Sequence, residues 1–198
     1  MANVVQLLIA IAAVTLLQVL PSARCVPSEC ASHACDCAVE LSRAAYGGRK
    51  VEVQDQNADL DNDDFDNAAD NITIIGACEW LLYNCTDFCC FDDVYGEDDY
   101  TVIGTPKLSS LRALPTDGTI AIALFDEENF EDRMEILCSV ESNLGNRDFD
   151  NKARSAISIK GNWKLHEDTG FQGTPFPVNT SQRVPSLPST LGVSSATC

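Results

Sequence analysis

Apolar residues alternate with polar ones in short stretches of this chain. Val39 and Leu41 are followed by Val51 and Val53, and further on Ile120, Ile122 and Leu124 are followed by Met134 and Ile136. Clusters of Asn, Asp and Gly break these stretches apart. Alternation over four to seven residues between turn signals predicts half-buried strands, and several such strands at regular spacing predict a sandwich or barrel. Beyond the first 24 residues no segment sustains a 3.6-residue period for three turns. The expected class is all-β.

The pattern also occurs twice. The stretch 64-DFDNAADNITIIG-76 has a near copy in 148-DFDNKARSAISIKG-161, and Asp150 stands 84 residues after Asp66 (150 − 66). Upstream, 38-AVELSRAAYGGRKVEV-53 lies over 121-AIALFDEENFEDRMEI-136 with one insertion. Downstream, Trp80, Leu82 and Phe88 lie over Trp163, Leu165 and Phe171. A repeat of this length predicts a duplicated domain. The expected units are 38–113 and 117–198, joined by the turn-rich 113-ALPTDG-118, with Trp80 and Trp163 plugging the two cores.

Each copy repeats again within itself as strand, aromatic, polar hairpin, aromatic. The four occurrences are Leu41…Tyr46-Gly-Gly48, Leu82-Tyr83…Phe88, Leu124-Phe125…Phe130 and Leu165-His166…Phe171-Gln-Gly173. With 122-IALFDEENFEDRMEI-136 and 148-DFDNKARSAISIKGNWKLHEDTGFQG-173, the chain resembles the βγ-crystallins. The resemblance implies two Greek-key β-sandwich domains with four motifs. In that family each motif reads aromatic, hairpin, Phe-x-Gly and a later Ser. Here Asp132 and Cys90 replace the motif glycine in two units, while Ser42 and His166 replace the first aromatic in two others. Only glycine takes φ > 0 without steric cost, so remodelled hairpins are expected at Asp132 and Cys90.

The resemblance also implies calcium. Family loops of the form Asn/Asp-Asn/Asp-x-x-Ser/Thr-Ser bind Ca²⁺, which takes six to eight oxygen ligands. The first domain offers 66-DNAADN-71, with Asp66, Asn67 and Asp70, crossed by 105-TPKLSS-110, with Ser109 but with Thr105 and Pro106 in place of the acidic pair. The second offers 150-DNKARS-155, with Asp150 and Asn151, crossed by 190-TLGVSS-195, with Ser194. Arg154 puts a cation where a ligand belongs, so the first domain is expected to hold the better of two weak sites. The alternative is that Asp-Asn serves only as a turn. Asp59, Asp61, Asp63 and Asp70 imitate an EF-hand spacing, but Asp64 stands where the loop glycine should be and no amphipathic helix flanks the run.

Residues 4–20 are apolar and uncharged, and Pro21, Ser22 and Ala23 follow. This reads as a signal peptide over 1–23, and no other segment is apolar enough to span a bilayer. The protein is therefore expected to be exported. All ten cysteines, an even number, lie beyond that segment: Cys25, Cys30, Cys35, Cys37, Cys78, Cys85, Cys89, Cys90, Cys138 and Cys198. In an oxidising compartment they are expected to form disulfides, with Cys198 pinned to Cys138. A zinc site from the first group with His33 is the weaker reading. Asn71, Asn84 and Asn179 open N-x-[ST] acceptors for glycosylation.

The formal charge of −17 disfavours nucleic acid and anionic membranes and suits divalent cations or basic proteins. For catalysis little is on offer. His33 and His166 lie far apart in sequence, and no nucleophile elbow, zinc-protease or P-loop pattern occurs. Two functions of different class fit. One is a secreted structural or stress-type module stabilised by calcium. The other is a secreted interaction protein, such as a toxin, protease inhibitor or adhesion factor, using the Cys-rich arm 24–37 against an unknown partner.

Overall fold

The computed structural model describes residues 38–43, 48–76, 78–96, 100–102, 107–115 and 119–198. The expected signal segment 1–23, the arm 24–37 with Cys25, Cys30, Cys35 and Cys37, and the loop residues Thr105 and Pro106 lie outside the described residues. Among the described residues no helix is long and apolar enough to cross a membrane.

The fold is all-β, as expected, with short 3-10 turns between strands. The N-terminal half holds β1 (Ala38–Arg43), β2 (Arg49–Val53), β3 (Gln56–Asn57), β4 (Asn71–Ile75), β5 (Cys78–Tyr83), β6 (Phe91–Tyr95), β7 (Tyr100–Val102) and β8 (Ser110–Pro115). The C-terminal half holds β9 (Ala121–Phe125), β10 (Met134–Leu137), β11 (Ser155–Lys160), β12 (Trp163–His166), β13 (Phe176–Val178), β14 (Arg183–Val184) and β15 (Ser195–Thr197).

The first half forms two antiparallel sheets, ordered β2-β1-β4-β7 and β3-β8-β5-β6. Strands β3 and β7 each leave the hairpin that precedes them and complete the opposite sheet, so the two sheets hold each other's edges. The second half repeats this with β10-β9-β11-β14 and β13-β12-β15. There the partner of β3 has shrunk to a single bridge between Glu141 and Ala196. This exchange of third strands is the Greek-key connection.

Each half has its own core. Val39, Leu41, Leu60, Phe65, Ile72 and Trp80 fill the first, and Ile122, Leu124, Leu144, Phe149, Trp163 and Leu165 fill the second. A third cluster joins the halves: Leu81, Tyr83 and Leu114 meet Ala123, Phe125, Phe130 and Ile157. The period of a strand explains how. Successive side chains point to opposite faces. Trp80 and Leu82 of β5 therefore enter the first core, while Leu81 and Tyr83 face the second half. Likewise Ile122 and Leu124 of β9 enter the second core, and Ala123 and Phe125 face the first half. Strands buried on both faces read as unbroken apolar runs, which 80-WLLY-83 and 121-AIALF-125 are. That signal in the sequence marked a joint between the halves that alternation alone did not reveal.

A buried arginine sits at this joint. Arg112 of β8 is 2 % exposed. Its Nε donates to Tyr83 Oη at 2.9 Å, its Nη2 to Phe130 O at 2.8 Å, and its Nη1 to Asp132 O. The guanidinium also lies over the rings of Phe88, Tyr83 and Phe125, at 4.6, 5.0 and 5.0 Å from their centroids. Burial lowers the Arg112 pKa, and the contact with Tyr83 partly offsets this. Burial likewise pushes the Tyr83 phenol up to about 12, so its hydroxyl stays protonated and donates to Phe130 O at 2.7 Å.

The hairpins are not remodelled where glycine is missing, which corrects the expectation from the sequence. Asp132 and Cys90 hold φ of 59° and 58°, against 82° for Gly173 at the same place. They accept the left-handed backbone that glycine would take freely, at a cost of roughly 1–2 kcal/mol each. What holds them is a repeated lock. Ser110, Ser155 and Ser195 each donate a hydroxyl proton to a carbonyl at one side of a hairpin, respectively Cys85, Glu127 and Asp168, at 2.6 Å in every case. Each hydroxyl oxygen accepts from a phenylalanine N–H, that of Phe88, Phe130 or Phe171, at 2.9–3.1 Å. His166 packs edge-on against Phe171, with ring centroids 5.9 Å apart, so it fills the aromatic place.

The cysteines depart from the expectation of complete pairing. Cys85 and Cys90 form a disulfide across one hairpin, their Cα atoms 5.5 Å apart, and Cys78 and Cys138 each belong to a separate disulfide. Cys89 and Cys198 are free thiols. The pairing of Cys138 with Cys198 is thereby overturned. Cys89 stands beside a disulfide already made, and Cys138 is bonded elsewhere.

Candidate metal centre

The two Asp-Phe-Asp-Asn loops share one hydrogen-bonded frame, residue for residue. Asp59 caps a 3-10 turn at Leu60–Asp63 by accepting from Asp61 N at 3.1 Å, and Asn143 caps Leu144–Arg147 by accepting from Gly145 N at 2.9 Å. Phe65 N donates to Leu60 O, and Phe149 N to Leu144 O. Asp64 and Asp148 close these turns in the left-handed region, at φ of 56° and 53°. Asn67 and Asn151 repeat it at 50° and 57°, a conformation Asn tolerates better than most residues.

Each loop is pinned to the crossing loop from the other end of its half. Asn67 N donates to Leu108 O at 2.9 Å, and Leu60 N to Ser109 O at 2.9 Å. In the second half Asn151 N donates to Val193 O at 2.9 Å, and Leu144 N to Ser194 O at 2.8 Å. The structure therefore sets the Asp66–Asn67 pair beside the loop of Ser109, and the Asp150–Asn151 pair beside that of Ser194. Asp70 and Arg154 occupy matching places, their N–H groups donating to Ser42 O and Phe125 O.

The side chains differ where the backbones agree. In the first half Asp66 Oδ2 accepts from Asn67 Nδ2 at 2.7 Å, while Asp66 Oδ1 is buried without a hydrogen-bond donor. A carboxylate oxygen out of water and unpaired is costly, and a cation would remove that cost. Asp66, Asn67, Asp70 and Ser109 all offer oxygen, the donor class that hard divalent ions take. The donor set fits calcium.

In the second half Asp150 is exposed, and its Oδ2 accepts from Asn151 Nδ2 at 2.9 Å. Arg154 Nη1 donates to Asn151 O and Ala153 O at 3.1 and 3.2 Å, so a guanidinium already sits on carbonyls of this loop. Lys152 adds a second cation, 3.1 Å from Asp148. Counting side chains, 66–71 carries −2 from Asp66 and Asp70, and 150–155 carries +1 from Asp150, Lys152 and Arg154. Three charges separate the two loops, which puts a divalent ion at a disadvantage in the second.

The three N-x-[ST] asparagines are placed unequally. Asn71 is half-buried in β4, with Nδ2 3.4 Å from Ser42 Oγ, and Asn84 lies beside the Cys85–Cys90 disulfide. Asn179 opens an exposed turn closed by Gln182 N on Asn179 O.

No protein-family model and no curated protein matches the chain. Solved structures do. Geodin, a βγ-crystallin from Geodia cydonium, is 14 % identical over 82 % of this chain and 98 % of its own, with a TM-score of 0.65. A βγ-crystallin from Ciona intestinalis is 27 % identical over 39 % of this chain and 96 % of its own, at a TM-score of 0.36. Protein S, solved in complex with calcium, is 14 % identical over 81 % of this chain and 97 % of its own, at 0.35. Of these three, the likeness to Geodin bears on the whole fold. That likeness shows the fold, and the fold of this chain is that of the βγ-crystallins.

Proposed function

We propose that the chain is a secreted, non-enzymatic βγ-crystallin-like protein of the structural or stress type, with a weak calcium site in its first half. Asp66, Asn67, Asp70 and Ser109 would hold the ion. The observation that supports this is the buried Asp66 Oδ1 with no hydrogen-bond donor. The matching Asp150 is exposed, and Arg154 occupies the carbonyls of its loop, so Asp150, Asn151 and Ser194 form the poorer site. Export rests on the apolar segment 4–20, and Asn179, on an exposed turn, is the acceptor best placed for a glycan.

The structural role is supported by the way the two halves are joined, through a shared apolar cluster and the caged Arg112. Durability is what such a joint supplies. The test is thermal unfolding of the oxidised protein in millimolar calcium and in chelator, beside Asp66→Ala. Calcium should raise the midpoint by a few degrees in the parent and not in the variant. Superimposable parent curves would reduce the repeated Asp-Asn to a turn device.

A further inference from the structure

The hairpin between β5 and β6 carries three sulfurs. The Sγ atoms of Cys85, Cys89 and Cys90 all lie within 4.8 Å of one another. Cys85 and Cys90 are bonded, and Cys89 is free and exposed, its Sγ 3.2 Å from Thr86 O. A thiol held this close to a disulfide needs no diffusion to reach it.

We propose that these three residues form a thiol–disulfide exchange centre, in which Cys89 displaces Cys90 from Cys85. The Cys89 thiol gives its proton to water, and the thiolate attacks Cys85 Sγ. The Cys85–Cys89 bond forms as the Cys85–Cys90 bond breaks. The electron pair leaves on Cys90 Sγ, which takes up a proton. One disulfide and one thiol stand on each side, so no oxidant or reductant is consumed. Attack on Cys90 Sγ instead would join adjacent residues. Their Cα atoms stand about 3.8 Å apart across a trans peptide, short of the roughly 4.4–6.8 Å that a disulfide spans. Cys85 is therefore the common partner and the other two cysteines alternate.

A second observation gives the exchange a consequence. Cys90 stands in the glycine position at φ 58°, and Asp87 and Phe88 before it also have positive φ, so the hairpin is backbone-strained where the disulfide is anchored. It is also part of the joint. Phe88 lies under the Arg112 guanidinium, its ring 5.7 Å from that of Tyr83, and Phe88 O accepts from Asp132 N of the other half. Exchange moves the tether from Cys90 to Cys89, next to Phe88. The two disulfide isomers then grip the other half differently.

The test uses the full oxidised chain, alkylated with iodoacetamide under native, mildly alkaline conditions without reductant, then quenched and digested in acid and mapped by mass spectrometry. Beside label on the free Cys198, two exclusive species are expected at the hairpin: label on Cys89 with Cys85–Cys90 linked, and label on Cys90 with Cys85–Cys89 linked. The second should reach at least about a tenth of the first, since the two pairings exchange by thiolate attack. In Cys89→Ser the label on Cys90 should fall about tenfold or more while the melting midpoint holds, because the attacking thiolate is gone. Hairpin label confined to Cys89 in the parent would overturn the proposal. So would Cys90 labelling undiminished in Cys89→Ser, which would mean the disulfide opens without Cys89.

Discussion

The loops at 59–71 and 143–155 are built on the same backbone hydrogen bonds and carry opposite net charge. Both close on a buried phenylalanine, Phe65 or Phe149, and both are stapled to the crossing loop through an asparagine N–H. Yet one leaves a carboxylate oxygen buried and unpaired, and the other lays a guanidinium across its own carbonyls. The second loop supplies from its sequence the cation that the first lacks. Frame and chemistry are separable here: main-chain bonds and one aromatic set the shape, and three or four side chains decide what the shape holds.

The frame can be broken in both halves at once. Phe65→Ala and Phe149→Ala should each cost about 3–5 kcal/mol, because both rings are fully buried under an arginine. Near-equal losses in chemical denaturation would support a shared frame. A loss in one half alone would mean the other loop is held by something else.

Acid should separate the halves next. Glu141 accepts from Asn143 N and from Arg147 Nε, where the first half has Asn57 accepting from Asp59 N and donating to Asp63. Burial opposes ionisation of Glu141, but the Asn143 N–H and the Arg147 guanidinium outweigh it, and its pKa lies below the ordinary 4.5. With the folded pKa below the unfolded one, the stabilisation is complete above the unfolded value and drains as pH falls through the folded value. Glu141→Gln should cost about 1–2 kcal/mol at neutral pH and converge on the parent in acid. Parallel curves at all pH would sink that account.

Exchanging the loop chemistry is the sharper experiment. At free calcium about tenfold above Kd the gain is about 1.4 kcal/mol. Asp66→Ala should abolish it. Arg154→Asp, with Lys152→Ala, should give the second half a response of its own, seen as added stoichiometry in titration calorimetry. No added binding would mean that charge is not what distinguishes the loops.

The smallest effect concerns the missing glycine. Asp132→Gly should be about 1 kcal/mol more stable than Asp132→Ala, since both lack the carboxylate and only glycine is at ease at φ 59°. At position 173 the same contrast should appear as a loss of similar size in Gly173→Ala.

The duplication and the strands were legible because they are local. Alternation marked Val39, Leu41, Ile122 and Leu124, and the 84-residue offset carries Leu60 to Leu144 and Asn67 to Asn151 without a gap. The exchanged strands were not legible. Gln56–Asn57 is too short for any period, and its partner Arg112–Leu111 lies more than fifty residues away. Arg112 at the joint was missed for a related reason: its cage is assembled from Tyr83, Phe88 and Phe125, which no spacing connects. The Asp-Asn loops and the loops that cross them were legible, but the burial of a single oxygen on Asp66 depends on how two distant loops close over it. The substituted glycines misled because a motif states a preference, and the serine locks are strong enough to override it at Asp132 and Cys90.

The caged arginine also bears on brine. An exposed pair such as Arg183–Glu79, which also bridges the halves, fades as dissolved ions crowd around it. Arg112, 2 % exposed, offers those ions little access. Its direct partners are uncharged: peptide carbonyls, a phenol and the faces of three rings. Dissolved ions have less to screen in those contacts than in an exposed ion pair, so the joint should lose less in concentrated salt than the Arg183–Glu79 bridge does.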